Sequence, residues 1–357
     1  MVASAPGKLV LIGEYAVLEG APSLVAAVDR YARVVASRGH SLAHARENDA
    51  RGNFNAGGDV NATANDDARL PTMPIHTVRI RAPEVGVDAT IDRGGSISAD
   101  LQKRLALVLP KLAELPDVTG LVIDTSGFYL GADKMGLGSS AAVTVALAKL
   151  ASPRANADDL FETARADHKN FQNGMGSGID LAASVNGGVV LYRLDGDRAY
   201  RKPVRWPQGL SMIAVWSGAP ADTREFLKNV AQFAASEPST YTQLMQKCTH
   251  IATDACAVFE RGDVAAFLET IDAYAAALAN LGRAARIPII TPEHEHAAAI
   301  ARSVGARYKS AGAGGGDLGT ALCRTEDETA VLEALSAANC TVVPLGLAEF
   351  GARLDQI

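Results

Sequence analysis

The chain has few aromatic residues and no excess of positive charge. Phe, Trp and Tyr together make up 5% of its 357 residues, and its formal net charge is −6 at pH 7. Proteins that bind nucleic acid usually carry the opposite sign of charge, so the composition argues against that class of partner. An anionic small molecule must instead be attracted by a local group of basic side chains.

Several other features are missing. The four cysteines have no C-x-x-C spacing, so we expect reduced, buried thiols. The start of the chain has no basic stretch followed by the apolar core of a signal peptide. No continuous apolar run approaches the ~20 residues that a membrane helix needs. These absences predict a cytoplasmic protein that binds no membrane.

The hydrophobic share of 48% is enough for a sizeable core, and the length suggests two lobes. Apolar or alternating runs predict strands at Leu9 to Ile12, Ser23 to Val35, Val78 to Ile91, Leu121 to Thr125 and Met212 to Trp216, with a strand pair from Leu181 through Tyr192. Helices are predicted from Ser98 to Leu115 with a break at Pro110, after Gly138, from Ala157 to Gln172, and after the N-cap Thr291.

Two further segments bear on the domain organisation. A proline-punctuated crossover around Pro203 and Pro207 precedes a half rich in alanine helices, which predicts domains 1–205 and 206–357. Residues 37–74 are polar and predict a mobile loop, either a lid over a substrate or an ordinary surface insertion.

The most informative segment is a glycine and serine loop before an apolar run. We call it the serine loop: Gly136, Leu137, Gly138, Ser139, Ser140 and Ala141. Glycines allow a tight turn with exposed N–H groups, and the following helix start adds a positive dipole end. The loop therefore predicts a site for an anion, in particular a nucleotide phosphate.

Two other interpretations of this loop exist. Its spacing also fits the dinucleotide fingerprint, but that fingerprint needs an acidic residue after a second strand. Here a turn and a polar helix follow instead, which argues against a nicotinamide or flavin site. In the second alternative interpretation, the two serines only cap the helix that follows Gly138.

Two more motifs flank the serine loop in sequence. One runs from Ser4 through Lys8, Glu14 and Tyr15 to Gly20, and the other from Lys309 to Asp317 with the spelling KSAGAGGGD. We call the second one the glycine run. In this order the three motifs resemble those of the GHMP small-molecule kinases, and they span residues 4 to 317. The resemblance implies an α+β, two-lobed fold with an N-terminal lobe like ribosomal S5 domain 2, and an active site between the lobes.

Within that superfamily the chain resembles the phosphomevalonate kinase branch. The features that carry this likeness are Tyr15, where mevalonate kinases usually have histidine, Lys134 before the loop, and Asp317 closing the glycine run. The resemblance implies ATP and Mg²⁺ as cofactors and phosphoryl transfer to 5-phosphomevalonate. It implies a phosphorylated mevalonate as the small-molecule partner, and a monomer or homodimer.

The resemblance also assigns roles to residues. Lys8, Lys134 and Asp180 are expected to be catalytic, with Lys8 pairing with Asp180, and Ser140 is expected to hold the metal. Lys169, Arg193 and Lys309 are lesser candidates for offsetting phosphate charge. The expected substrate contacts are Lys8, Glu14, Tyr15, His168, Gln172, Ser177, Asp180, Thr223, Arg224, Gly312, Ala313 and Gly314.

One departure concerns the metal site. Mevalonate kinases carry a magnesium-binding glutamate where this chain has Lys169, so either Ser140 holds the ion with the nucleotide and water, or Asp167 substitutes. The open alternatives for function are a kinase of mevalonate or another small alcohol, and a catalytically silent nucleotide sensor. A dehydrogenase is more remote.

Overall fold

The structure is a computed structural model that describes residues 1–38, 76–172 and 176–355. The strands are β1 (Val2–Ile12), β2 (Ser23–Arg38), β3 (Thr77–Ala82), β4 (Val87–Asp92), β5 (Val118–Asp124), β6 (Tyr129–Leu130), β7 (Asp133–Lys134), β8 (Val189–Asp195), β9 (Arg198–Val204), β10 (Leu210–Trp216), β11 (Arg307–Ser310), β12 (Leu318–Arg324), β13 (Thr341–Val343) and β14 (Arg353–Asp355). The helices are α1 (Ala99–Arg104), α2 (Leu109–Leu112), α3 (Ser139–Ala151), α4 (Ala157–Phe171), α5 (Ile179–Asn186), α6 (Thr223–Ser236), α7 (Pro238–Glu260), α8 (Val264–Ala285), α9 (Pro292–Ser303) and α10 (Glu328–Ala337).

The first lobe is built on an eight-stranded sheet. Its strands follow the order β14-β1-β2-β5-β3-β4, and β8 joins the sheet at β2 and carries β9. Helices α3 and α5 pack on β1 and β2. Helix α3 is apolar on nearly all sides, and its many alanines let it lie close to the sheet, which explains why it is buried. The loop that precedes α3 is thereby fixed at the edge of the core.

The second lobe contains a four-stranded antiparallel sheet in the order β11-β12-β10-β13. Helices α9 and α10 share a small apolar core with this sheet. A larger core holds α7 and α8 together, and it also includes Leu11, Ile12 and Leu24 from the first lobe beside Phe267 and Ile271 of α8. The two lobes are therefore joined by a continuous apolar core.

The end of the chain returns to the first lobe. Strand β14 pairs with β1, and the N–H of Ala348 donates to the carbonyl of Ala27 at 2.9 Å. The division into domains 1–205 and 206–357 stays a prediction.

Two strand predictions are wrong. The segment predicted as a strand pair from Leu181 contains α5 first and only then β8, because Gly178 and Gly187 adopt positive φ and delimit a helical turn of small apolar residues. The predicted strand from Val78 to Ile91 is two strands, β3 and β4. Pro83 opens a short 3₁₀ turn between them and cannot donate a ladder hydrogen bond.

Two further expectations need adjustment. The helix predicted from Ser98 is split into α1 and α2, and Pro110 lies in the first turn of α2, where a missing N–H costs nothing. The motif from Lys309 to Asp317 was expected between a helix and a strand, but Lys309 lies on β11 and the motif leads into β12. Most of the predicted mobile loop at 37–74 lies outside the described residues. Its first two residues, 37 and 38, extend β2.

Helix α8 is long and apolar enough to span a membrane by length and composition alone. Within the structure it is instead a core helix. Phe267, Ile271, Leu278 and Leu281 on it are fully buried against α7 and the first lobe. Its apolar character is therefore explained by the joint between the lobes.

We expect Phe267→Ala to lower the free energy of unfolding by about 3–5 kcal/mol, because it removes a fully buried ring from the core shared by both lobes. Phe350→Ala is the matched control, since that ring is 60% exposed and should contribute less than about 0.5 kcal/mol. Urea denaturation of both variants measures the difference. Equal losses would show that the shared core does not join the lobes.

Candidate active site

A cavity of about 500 Å³ lies between the two lobes. Its described walls come from β1 and the turn after it, the serine loop with Lys134 before it, the end of α4 and the start of α5, the start of α6, and the glycine run. The residues predicted for the site that line it are Lys8, Glu14, Tyr15, Lys134, Gly136, Gly138, Ser139, Ser140, Gln172, Ser177, Asp180, Thr223, Arg224, Gly312 and Ala313. The three motifs, far apart in sequence, therefore meet at one place.

The serine loop has the geometry that its glycines predict. Gly136 and Gly138 have φ values of 74° and 77°. A residue with a side chain would be strained in this backbone conformation. Gly138 stands at the N-cap of α3, and no side chain caps the helix. The interpretation of the serines as simple helix caps is thus wrong. The first N–H groups of α3 lack intrahelical partners and are available to an anion at the cavity wall.

Lys8 supports this loop from β1. Its Nζ donates to the carbonyl of Gly136 at 2.8 Å, and its backbone N–H donates to the carbonyl of Leu137 at 2.9 Å. Lys8 and Asp180 flank Gly138, where an added Cβ would lie 3.1 Å from Lys8 Cγ and 3.6 Å from Asp180 Cβ. The expected ion pair between them does not form in the structure, since Lys8 is held by the loop carbonyl instead.

Of the two serines in the serine loop, Ser140 has a side chain with a polar contact. Its hydroxyl lies 3.3 Å from Nε2 of His168 on α4. His168 is buried and does not line the cavity, so the expected substrate contact of His168 is replaced by a contact with Ser140. The histidine thereby orients the hydroxyl that faces the cavity.

The turn after β1 is bonded to the glycine run. Glu14 is buried and forms an ion pair with the fully buried Lys309, and its Oε1 also accepts from the N–H of Gly312 at 3.4 Å. Tyr15, with φ 62°, donates from its hydroxyl to the carbonyl of Ala313 at 2.5 Å. These contacts hold the glycine run against the first lobe.

Burial changes the pKa values of the side chains that connect the turn after β1 to the glycine run. It lowers the pKa of the Lys309 ammonium, while the neighbouring Glu14 opposes that shift. Burial also raises the pKa of the Tyr15 phenol, which therefore stays a hydrogen-bond donor at neutral pH. The other oxygen of Glu14, Oε2, is buried and has no hydrogen-bond partner among the described residues, although Glu14 lines the cavity.

Three cations face the cavity: Lys8, Lys134 and Arg224. In the described ranges none of them lies within 4.0 Å of a carboxylate oxygen. Lys134 is open to solvent through the cavity. The surrounding protein nevertheless displaces enough water to lower the pKa of its ammonium, and Arg224 and Lys8 act in the same direction.

Some predicted residues stand behind the cavity wall. The side chains of Leu137 and Ala141, both in the serine loop, are buried. Gly314 packs on Ile289, and a Cβ added to Gly314 would lie 2.3 Å from the Ile289 carbonyl oxygen. These three do not line the cavity. Leu137 contributes its backbone carbonyl, which accepts from the N–H of Lys8, and the missing side chain of Gly314 allows the close approach to Ile289.

The lesser cation candidates fall outside the cavity. Lys169 is exposed and lies 3.3 Å from Asp197, and the guanidinium of Arg193 lies over the ring of Tyr200. Lys309 is buried, and it is the ion-pair partner of Glu14.

Asp167 does not fit a metal site. Its carboxylate lies 2.9 Å from the ammonium of the buried Lys111, and it does not line the cavity. The described part of the chain contains no cluster of three or more His, Cys, Asp or Glu that could hold a metal. Mg²⁺ bound to a nucleotide usually keeps several waters and takes only one or two protein ligands. Of the two alternative Mg²⁺ ligands, Ser140 and Asp167, the hydroxyl of Ser140 therefore fits better.

Several residues that line the cavity were not predicted as site residues, and Asp317 is among them. Its carboxylate lies beside Gly136 and accepts from the N–H of Ala221 at 3.0 Å. The signal in the sequence was its position at the end of the glycine run, which was used only to mark the kinase branch.

The chain is similar to kinases along its whole length. It is 29% identical to the phosphomevalonate kinase of Streptomyces sp. strain CL190, over 97% of this chain and 96% of that protein. It is 27% identical to the mevalonate kinase of Aeropyrum pernix, over 99% of this chain and 98% of that protein. The structure of Streptococcus pneumoniae phosphomevalonate kinase in complex with phosphomevalonate and AMPPNP has a TM-score of 0.74 at 18% identity, covering 97% of this chain and 99% of that one. No family model matches the chain.

The two-lobed α+β architecture is that of solved GHMP-type kinases, and the sequence resembles phosphomevalonate and mevalonate kinases along its whole length. The predicted resemblance to the phosphomevalonate kinase branch is also confirmed.

We expect Lys309→Met to lower the free energy of unfolding by about 3–5 kcal/mol, because it leaves the Glu14 carboxylate buried without its partner. The double variant Glu14→Gln/Lys309→Met should recover part of that loss. Lys202→Met is the control, since Lys202 and Glu260 form a largely exposed pair worth at most about 1 kcal/mol. Denaturant unfolding measures all three. A loss for Lys309→Met no larger than for the control would contradict the assignment.

Proposed function

We propose that the chain transfers the γ-phosphoryl group of ATP to the phosphate of 5-phosphomevalonate, giving the 5-diphosphate. The observation that carries the proposal is the convergence of Lys8, Lys134 and Arg224 on one cavity, without a carboxylate within ion-pair distance in the described ranges. Such cations suit two phosphorylated ligands held side by side. Two of the similar proteins named above, from Streptomyces sp. and Streptococcus pneumoniae, are phosphomevalonate kinases, which supports this acceptor.

The chemistry explains why the cations matter. A phosphate monoester has a second pKa near ~6 and is largely dianionic at neutral pH, so the nucleophile arrives already deprotonated. The difficulty is then the repulsion between acceptor and nucleotide, about 4 kcal/mol for a pair of unit charges ~4 Å apart at an effective dielectric of ~20. Lys8, Lys134 and Arg224 offset that repulsion, and positioning provides most of the remaining catalysis.

The nucleotide phosphates are assigned to the serine loop, where the first N–H groups of α3 face the cavity. The AMPPNP bound to the pneumococcal relative supports ATP as the donor. Ser140 would hold Mg²⁺, which when bound neutralises phosphate charge. His168 orients the Ser140 hydroxyl from behind.

Transfer to mevalonate itself is the second candidate. Asp180 lines the cavity and could accept the proton of an alcohol, and one of the relatives above is a mevalonate kinase. Against it, the position usually occupied by histidine is Tyr15, whose hydroxyl is engaged by Ala313. We further propose a cytoplasmic enzyme, monomeric or homodimeric, with domains 1–205 and 206–357.

ADP release with each acceptor tests the proposal. We expect turnover with 5-phosphomevalonate and little with mevalonate. Lys134→Met should lower kcat/KM for the phosphorylated acceptor about 100-fold, because it removes a charge that offsets roughly 3 kcal/mol of repulsion. Lys169→Met is the matched control and should stay within about two-fold, since Lys169 lies outside the cavity. Activity with mevalonate and none with its 5-phosphate would overturn the assignment.

Asp180→Asn separates the two acceptor types through the pH dependence of the rate. With a phosphate acceptor, the wild-type rate should rise through pH ~6 and then flatten, and the variant should lower the plateau without a new dependence on hydroxide. With an alcohol acceptor, the variant should lose most turnover and regain part of it as the pH rises. Rate profiles of both proteins with both acceptors decide between these outcomes.

A further inference from the structure

One wall of the cavity holds a cation over an aromatic ring. The guanidinium carbon of Arg224, in the first turn of α6, lies 5.3 Å from the centroid of the Phe171 ring. Phe171 is the last residue of α4, and both residues line the cavity. A guanidinium within about 6 Å of a ring centroid is attracted by the negative face of the ring. The pair therefore connects α4 of the first lobe to the helix that follows β10.

The ring is the better fixed member of this pair. Phe171 is partly buried, and its ring centroid lies 5.9 Å from that of His168, one turn earlier on α4. His168 is itself buried, and its Nε2 lies 3.3 Å from the Ser140 hydroxyl. Arg224 is exposed, and a long exposed side chain samples many rotamers. The ring therefore limits the positions that the guanidinium takes at the cavity wall.

The chemical nature of this partner decides what the guanidinium can still do. Within the described ranges the Arg224 side chain donates no hydrogen bond and has no carboxylate within ion-pair distance. A carboxylate would neutralise the charge and occupy the N–H groups, which are the donors that bind phosphate oxygens. A ring attracts the cation through its π face and leaves those donors unused. Phe171 can therefore hold Arg224 without competing with an anionic ligand.

We propose that Phe171 is a positioning residue for the phosphorylated acceptor, because its ring holds the Arg224 guanidinium at the cavity wall with the N–H groups free to bind the acceptor phosphate. This inference rests on the proposed function, in which the acceptor carries a phosphate. Preorganising the cation lowers the entropic cost of ordering it when the acceptor binds. The ring therefore increases the affinity for the phosphorylated acceptor and leaves nucleotide binding at the serine loop unchanged.

Steady-state kinetics with 5-phosphomevalonate and ATP test the role of the ring. Phe171→Leu keeps an apolar side chain but removes the π face. We expect it to raise KM for 5-phosphomevalonate about five-fold, the order that a cation over a partly exposed ring contributes, while kcat and KM for ATP stay within about two-fold. Phe171→Tyr keeps the ring and should restore the wild-type KM. Tyr200→Leu is the matched control and should change none of these constants, because the Arg193 guanidinium lies 5.1 Å from the Tyr200 ring outside the cavity.

A double-mutant cycle shows whether the ring acts through Arg224. Arg224→Met should raise KM for the acceptor by at least as much as Phe171→Leu, and the two changes together should cause no further rise. Thermal unfolding checks that each variant folds. An unchanged KM in Phe171→Leu, an equal rise for ATP, or full additivity with Arg224→Met would overturn the inference while wild type still phosphorylates 5-phosphomevalonate. Turnover of mevalonate alone by wild type would instead overturn the proposed function and this inference with it, so the two failures are distinguishable.

Discussion

The buried ion pair between Glu14 and Lys309 is the contact on which the active site depends. It joins the turn after β1 in the first lobe to the strand that leads into the glycine run in the second. Tyr15 and Tyr274 add hydrogen bonds at the same place, to the carbonyls of Ala313 and Glu14. A buried pair is costly to leave unpaired, so either partner alone would be destabilising. The cavity between the lobes exists because this joint closes one side of it.

The second constraint is charge. The chain carries a net charge of −6, yet the proposed reaction brings together two phosphorylated molecules. The structure meets this need locally, since Lys8, Lys134 and Arg224 come from β1, β7 and α6 and converge on one cavity. Asp317 lines the same cavity. Under the proposed function, the three cations attract the polyanions to this single place.

Local chemistry in the sequence predicted the parts of the site whose structure is local. The glycines before α3 and the N-cap Thr291 behave as their residue types require. The failures concern partners distant in sequence. A lysine in a sequence usually indicates a surface residue. Lys309 is buried because the fold brings it to Glu14, which is distant in sequence. His168 is placed behind Ser140 by the packing of α4 on α3. The apolar run after Gly178 fits a strand or a helix equally well, and tertiary packing selected the helix.

The central claim is that one cavity holds both phosphates between the serine loop and the start of α6. A crystal structure of the protein with 5-phosphomevalonate and a non-hydrolysable ATP analogue tests it most directly. The account predicts the nucleotide phosphates at the first N–H groups of α3, and the acceptor phosphate within hydrogen-bond distance of Lys8, Lys134 or Arg224. An acceptor phosphate that contacts none of these three cations, or that lies outside the cavity, would contradict it.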